Sequence, residues 1–376
     1  MKILYLEPFH AGSHRGFGEA LVGGVDADWT SLTLPGRFWK WRMRGSAAWF
    51  ALERREVISK PYDLIFASSY LPLTEFLGLC PELSGTPSVL YFHENQFAYP
   101  VREAFVKERD NYFGFTQMIS GLSATKLLFN SNYNRQSFLD GGAALFKRLP
   151  DAVPRDWLSL LASKSEVLSV PLDLPDVKID DVRTGDRTRG PLLLWNHRWE
   201  FDKNPEAFFS ALEALSSRGV AFRVAVCGEK FRRAPKVFEE ARVRLGDRVE
   251  HWGYAEDRGT YEALLMRSDI AVSTAIHEFF GVAVLEATHF GARPVVPNRL
   301  AYKELFPEAF RYRDDDALVD MLERLCRGWQ AGTLGLREDR QHLTAPHRVD
   351  VMLPRYEAML RSLASPQEDE VSGDPQ

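Results

Sequence analysis

Residues 277 to 286 read His-Glu-Phe-Phe-Gly-Val-Ala-Val-Leu-Glu, so two carboxylates, Glu278 and Glu286, bracket a glycine turn, Phe280-Gly281-Val282. Earlier in the chain, Asn196-His197-Arg198-Trp199-Glu200-Phe201-Asp202-Lys203 sets two cations five positions apart. An arginine fork and a lysine point charge suit a diphosphate. A helix opening at Gly281 would add unpaired backbone N–H groups and a partial positive charge, and the carboxylates could take sugar hydroxyls. Two cations and a helix terminus can offset the charge of a leaving diphosphate without a metal ion. An acidic pair at this spacing also arises by chance, with Glu278 a solvated loop residue and Glu286 on an exposed helix face. The elements around the pair have to decide.

Short β-branched or apolar runs alternate with helical segments throughout: Ile3 to Leu6, Leu64 to Ala67, Val89 to Phe92, Leu127 to Phe129, Leu192 to Trp195, Arg223 to Val226, Ile270 to Val272 and Pro294 to Val296. Runs this short and this apolar are strands buried on both faces, and their alternation with helices predicts parallel sheets. Arg198, Lys203 and the 277 to 282 turn then all follow the carboxyl ends of strands, where ligands bind open α/β sheets. The expected fold is α/β, with two Rossmann-like doubly wound parallel-sheet domains facing a cleft. Residues 1–172 form the first, 173–190 a linker rich in Pro, Asp and Gly, and 191–346 the second. A C-terminal helix over 347–364 is expected to pack back on the first domain, and the acidic segment 365–376 has too few apolar side chains to fold.

With 376 residues, 45% apolar and 26% charged, the chain is long enough for two full cores. No apolar run approaches membrane-spanning length and none at the N-terminus resembles a secretory signal. Cys80, Cys227 and Cys326 form no CxxC and no metal-type cluster, which fits a reducing, cytoplasmic setting without zinc. No GxGxxG follows the first strand and no GxxxxGK[ST] occurs, which argues against a dinucleotide dehydrogenase or a P-loop enzyme. The net charge of −5 rules out a global electrostatic footprint for nucleic acid. One local patch stands against it. Residues 37 to 44, Arg-Phe-Trp-Lys-Trp-Arg-Met-Arg, place Arg37, Lys40, Arg42 and Arg44 among Trp39 and Trp41, a mixture suited to phosphate contact and base stacking. An edge strand or helix start with its tryptophans in the core fits the same residues.

Further candidates sit at other strand ends. Gly12, Ser13 and His14 follow the first strand, His93 with Asn95 and Gln96 ends the third, Gly228 and Glu229 end the strand at 223, and Trp252 and Tyr254 flank Gly253. A neutral His93 could hydrogen-bond a sugar hydroxyl or an acceptor. A plain turn for Gly228 and a core position for Trp252 are equally compatible with the sequence.

The order of Arg198 and Lys203, the Gly228 turn, Trp252-Gly253-Tyr254 and Glu278-x7-Glu286 resembles the retaining family-four glycosyltransferases of the GT-B fold. Phe92-His93-Glu94-Asn95-Gln96, His197-Arg198-Trp199-Glu200 and His277 through Ala283, together with the 34 to 42 stretch, resemble within that group the enzymes that mannosylate queuosine in tRNA. The resemblance implies GDP-mannose as donor and no further cofactor, queuosine-bearing tRNA as partner and acceptor, no membrane and no obligate protein partner. It implies that Arg198 and Lys203 bind the diphosphate, Glu286 the ribose, Glu278 the hexose, and Phe280, Gly281 and Val282 a phosphate. Gly12, Ser13, His14, Gly228, Glu229, Trp252 and Tyr254 are expected beside the donor, and Asn95 and Gln96, with the 37 to 44 patch, beside the acceptor or tRNA. Catalysis would fall to His93 and Glu278, without metal. A family-four transferase with a lipid or saccharide acceptor, and a non-catalytic RNA-binding protein on the same scaffold, remain as alternatives.

Overall fold

The computed structural model describes residues 1–100, 111–179, 187–230 and 235–365. Part of the expected linker and nearly all of the acidic tail therefore lie outside the described residues. The described residues form twelve strands: β1 (Lys2–His10), β2 (Asp28–Pro35), β3 (Leu64–Ser68), β4 (Ser88–Phe92), β5 (Lys126–Phe129), β6 (Ser165–Val167), β7 (Leu192–Asn196), β8 (Arg223–Cys227), β9 (Val249–Gly253), β10 (Ile270–Val272), β11 (Arg293–Pro297) and β12 (Arg311–Tyr312). They form two six-stranded sheets, ordered β2-β1-β3-β4-β5-β6 and β12-β11-β10-β7-β8-β9, with every pairing parallel.

Each sheet has one place where the chain reverses its direction of travel. In the first it lies between β1 and β3, in the second between β7 and β10. Loops leave opposite faces of the sheet there, and the crevice between them is the natural ligand site. The central strands are apolar but for Ser68, Ser88 and Asn196 at their ends because helices cover both faces; β3, β4 and β7 are buried at every position.

The cores are not separate. Ile3, Tyr5, Phe17 and Tyr91 of the first domain pack with Phe280, Val284, Leu285 and Tyr302 of the second in one buried cluster. Met352, Tyr356 and Leu360, from the final helix Val349–Ala364, join the same cluster, and the Tyr356 hydroxyl donates to the Leu168 and Ser169 carbonyls. The last helix thus straps the second domain to the first. No helix among the described residues is long and apolar enough to cross a membrane.

Candidate active site

Both direction reversals place their loops at the interdomain cleft. On the second domain, the turn after β7 carries Arg198 and Lys203, and the turn after β10 carries His277 to Gly281. Lys203 is buried; its Nζ donates to the His277 carbonyl at 2.9 Å and to Glu278 Oε2 at 3.2 Å, and lies 3.4 Å from Asp202 Oδ2. The ammonium therefore ties the two ligand loops together. Arg198 is exposed toward the cleft, pairs with Glu200 at 3.3 Å and bonds the Tyr99 hydroxyl of the first domain. Gly281 adopts φ +102, and a Cβ there would press on the Tyr302 ring at 2.9 Å, so glycine is required where the turn enters the helix Val282–His289. Its first-turn N–H groups face the site without carbonyls four residues back.

Glu286 sits one turn into that helix. Its Oε2 accepts from the Tyr261 hydroxyl at 2.9 Å and its Oε1 from Arg258 Nη1 at 2.8 Å, while Asn196 Nδ2 bridges the Tyr261 hydroxyl and the Ala283 carbonyl. The carboxylate is fixed in orientation with lone pairs to spare for a diol. The Gly228 turn approaches β7 so closely that a Cβ would collide with the His197 carbonyl. Glu229 is exposed beside it, its carbonyl taken by the Trp199 N–H.

On the first domain, β1 delivers Glu7 and the following helix Gly12–Gly24 delivers His14. The Glu7 carboxylate, fully buried, accepts from the Ser68 hydroxyl at 2.9 Å through Oε1 and meets His14 Nδ1 at 3.2 Å through Oε2. Glu94 Oε2 meets the other ring nitrogen, His14 Nε2, also at 3.2 Å. Burial alone would push this imidazole down, but Glu7 and Glu94 outweigh it and raise its pKa to about 10. Glu94 is held below the usual carboxylate range: burial opposes ionisation, and the His14 charge with hydrogen bonds from His14 and Tyr70 overcomes it. His93 stacks on His14, and burial followed by the His14 charge drives its pKa well below the ordinary value. Its Nε2 is buried with no hydrogen-bond partner among the described residues.

Glu7, His14 and His93 have ligand atoms close enough to hold a metal ion. The donor set does not fit one. Both His14 nitrogens point at carboxylates, so the ring is an imidazolium and offers no lone pair. The group holds a proton.

The remaining candidates divide. Gly12 has φ +52 with nothing within 4 Å of where a Cβ would stand, and Ser13 is exposed beside it, so the backbone of this turn is open to a ligand. Trp252, expected at the donor, packs instead with Trp199, Phe209 and Phe238 at the edge of the second core. Tyr254 is exposed beyond it. Asn95, expected to meet RNA, is fully buried: its amide donates to Asn134 and Ser137 and its carbonyl accepts from the Ala98 N–H. It fixes the loop that carries Glu94. Gln96 is partly exposed and tied through its N–H to Gln117. Residues 39 to 53 form a helix, with Trp39 turned inward against Phe113 and Tyr99 and Trp41 outward.

Sequence reasoning missed Glu7, Tyr70, Glu94, Tyr99, Tyr261 and Arg258. The partners of most of these lie in other loops or elements of the fold, and no local spacing announces such pairs.

Two facing Rossmann domains, a cationic cradle on one and a neutral histidine stacked on a charged one on the other, define a glycosyltransferase of the GT-B fold. Solved structures cover nearly the whole chain: sucrose-phosphate synthase from Thermosynechococcus elongatus, at TM-score 0.69 and 14% identity over 96% of this chain and 99% of that one, and Anabaena HepE in complex with UDP, at 0.67 and 15% over 96% and 100%. At such identity the likeness speaks for the fold. The chain belongs to the tRNA-queuosine alpha-mannosyltransferase family: residues 2–172 match its N-terminal domain, and residues 177–329 match glycosyl transferases group 1. The tRNA-queuosine alpha-mannosyltransferase of Drosophila melanogaster is 39% identical over 334 residues, 86% of this chain and 87% of the fly protein. A GDP-mannose-dependent alpha-(1-6)-phosphatidylinositol dimannoside mannosyltransferase of Mycobacterium tuberculosis is 32% identical over 114 residues, 30% of this chain and 29% of its own. The expected fold, family and enzyme class are met.

Proposed function

We propose that this protein transfers mannose, with retention, from GDP-mannose to the cyclopentene-diol of queuosine in the anticodon of a cytoplasmic tRNA. The observation that carries the reading is the meeting of the two crevices. Arg198, Lys203 and the Gly281 helix terminus form a diphosphate cradle on one wall, and His93 over a charged His14 stands on the other. Membership of the queuosine-mannosylating family supports the acceptor, and the GDP-mannose dependence named for the mycobacterial relative supports the donor.

In this reading the guanosine ribose is held by Glu286, and the hexose by Glu278, whose carboxylate Lys203 orients. The bond from the anomeric carbon to the β-phosphate oxygen breaks, and its electron pair leaves on the diphosphate, where Arg198 and Lys203 offset the charge. An acceptor hydroxyl oxygen bonds the same face of that carbon and passes its proton to the leaving phosphate oxygen. His93, neutral, positions the reacting hydroxyls.

The test is incubation with queuosine-bearing tRNA and GDP-mannose, UDP-glucose, UDP-galactose or GDP-glucose in parallel, followed by nucleoside mass. A hexose gain with GDP-mannose is expected. No gain with any donor would sink the reading and leave the fold intact.

A further inference from the structure

We propose that Phe38 and Trp41, at the start of the helix Trp39–Glu53, are a stacking platform for an unpaired nucleobase next to the acceptor nucleoside; this rests on the tRNA reading above. Both rings face solvent, Phe38 at 72% exposure and Trp41 at 63%. Large aromatic rings left this bare need a reason.

The geometry supplies it. Trp41 lies flat along its own helix over Gly45: a Cβ on that glycine would sit 2.8, 3.0 and 3.1 Å from three indole carbons. One face of the indole is therefore backed by the helix and the other is presented to solvent. Phe38 is held out by a left-handed backbone, φ 55 and ψ 50, in a residue that rarely adopts it.

Cations surround the rings. The Arg37 guanidinium lies 5.9 Å from the Phe38 centroid and the Lys40 ammonium 5.6 Å from that of Trp39. Arg44 lies over Tyr112 and Phe113 at 5.0 and 5.1 Å. In a chain of net charge −5, residues 37 to 44 hold four cations and no carboxylate. Flat rings among cations match single-stranded RNA, whose bases offer π-faces and whose backbone offers phosphates. The patch is also continuous with the cleft. Trp39 lies 6.3 Å from Tyr99, and Tyr99 lies 4.9 Å from His277 beside Glu278. An anticodon loop could place one base in the cleft and a neighbour on Trp41.

The experiment measures binding of an anticodon stem-loop RNA by fluorescence anisotropy across a salt series. Transfer by the wild-type protein to the same loop carrying queuosine scores the underlying reading separately. With that transfer in hand, Trp41→Ala and Phe38→Ala are expected to weaken binding about tenfold or more, on the scale of one lost stack, with the salt slope unchanged. Trp41→Tyr should recover most of the loss. Gly45→Ala, a substitution that favours the helix, should weaken binding by lifting the indole. Arg37→Ala and Lys40→Ala should each lower the salt slope. Binding by Trp41→Ala within twofold of wild type would overturn the platform, as would equal affinity for a fully paired RNA, or anionic vesicles that compete the loop away.

Discussion

His14 and His93 stack at 3.9 Å between ring centroids and 27° between planes, and they carry different charges. His14 is an imidazolium because Glu7 and Glu94 each take one of its N–H groups; His93, with no carboxylate of its own, stays neutral on top of it. The cleft wall opposite the donor cradle thus keeps one proton fixed and one ring free of charge.

That arrangement predicts the acid limb of catalysis. Burial is the larger cause of the low His93 pKa and the His14 charge the second. Removing the charge with His14→Gln should let His93 protonate more easily, so the acid limb of kcat/KM moves to higher pH. Superimposable limbs in wild type and variant would remove His93 from the proton balance of the reaction.

Stability should follow the same groups with opposite signs. A group whose pKa is raised on folding, as His14 is from 6.5 to about 10, stabilises fully below 6.5, and that contribution is lost as pH rises through about 10. Groups whose pKa is lowered act the other way. His93, His197 at about 3 and His347 at about 4 resist protonation when folded, chiefly through burial, so stability falls as pH drops below 6.5. Thermal melts from pH 4 to 10.5 are expected to show both limbs, and His14→Gln to flatten the alkaline one while also easing the His93 share of the acid one. An unchanged alkaline limb would refute the imidazolium.

Arg198 and Lys203 were equivalent in the sequence and are not in the structure. Arg198→Ala removes a half-exposed guanidinium and should lower transfer by about two orders of magnitude, the scale of one preorganised donor, with little change in melting temperature. Lys203→Ala strips a buried cation from between Asp202 and Glu278, and should cost several kcal/mol of stability in addition to activity. Melting curves beside transfer rates separate the two, and a well-folded, fully active Arg198→Ala would disprove the cradle.

The two domains also meet through a helix start. The Glu304 carboxylate accepts from Asn132 N at 2.8 Å, Asn132 Nδ2 at 3.2 Å and Tyr133 N at 2.6 Å, capping the helix Asn132–Phe146 from the other side of the cleft. Ser131 Oγ adds a bond to the Phe279 carbonyl at 2.6 Å. Glu304→Ala should loosen closure, raising KM for the donor several-fold and enlarging the radius of gyration in solution scattering. Scattering identical to wild type would show that the apolar cluster and the remaining interdomain bonds hold the domains without Glu304.

What the sequence made legible follows from range. Arg198, Lys203 and Glu278 stand out because each falls within a short turn after an apolar strand, and Glu286 because it lies early in the helix that leaves such a turn; a strand's end fixes the sheet edge it serves. Edge strands β2, β6, β9 and β12 escaped notice, being half-polar or only two or three residues long. The helix at 39 to 53 was ambiguous because Trp39 and Trp41 have opposite fates two positions apart. Asn95 misled for a related reason: a polar run after a strand reads as solvent-facing, whereas this amide is spent on Asn134 and Ser137. Glu7 was invisible, as one carboxylate after an apolar run gives no hint of a histidine seven positions later in the next helix.

Glu286 gives a final prediction because its orientation depends on a residue that no motif contains. The Tyr261 hydroxyl donates to Oε2 at 2.9 Å and itself accepts from Asn196 at 3.0 Å, so the phenol relays the β7 loop to the helix carboxylate. Tyr261→Phe deletes that relay while keeping the ring, and Arg258 still holds Oε1 at 2.8 Å. The carboxylate then gains freedom to turn, which should weaken GDP binding by roughly five- to tenfold, about the net worth of one ordinary hydrogen bond. Because Glu286 is assigned to the ribose and not to the reacting carbon, the loss should appear in the KM for GDP-mannose with kcat little changed. Calorimetry with GDP and steady-state kinetics check both halves. A kcat effect with unchanged GDP affinity would place Glu286 at the hexose and displace the assignment of the ribose.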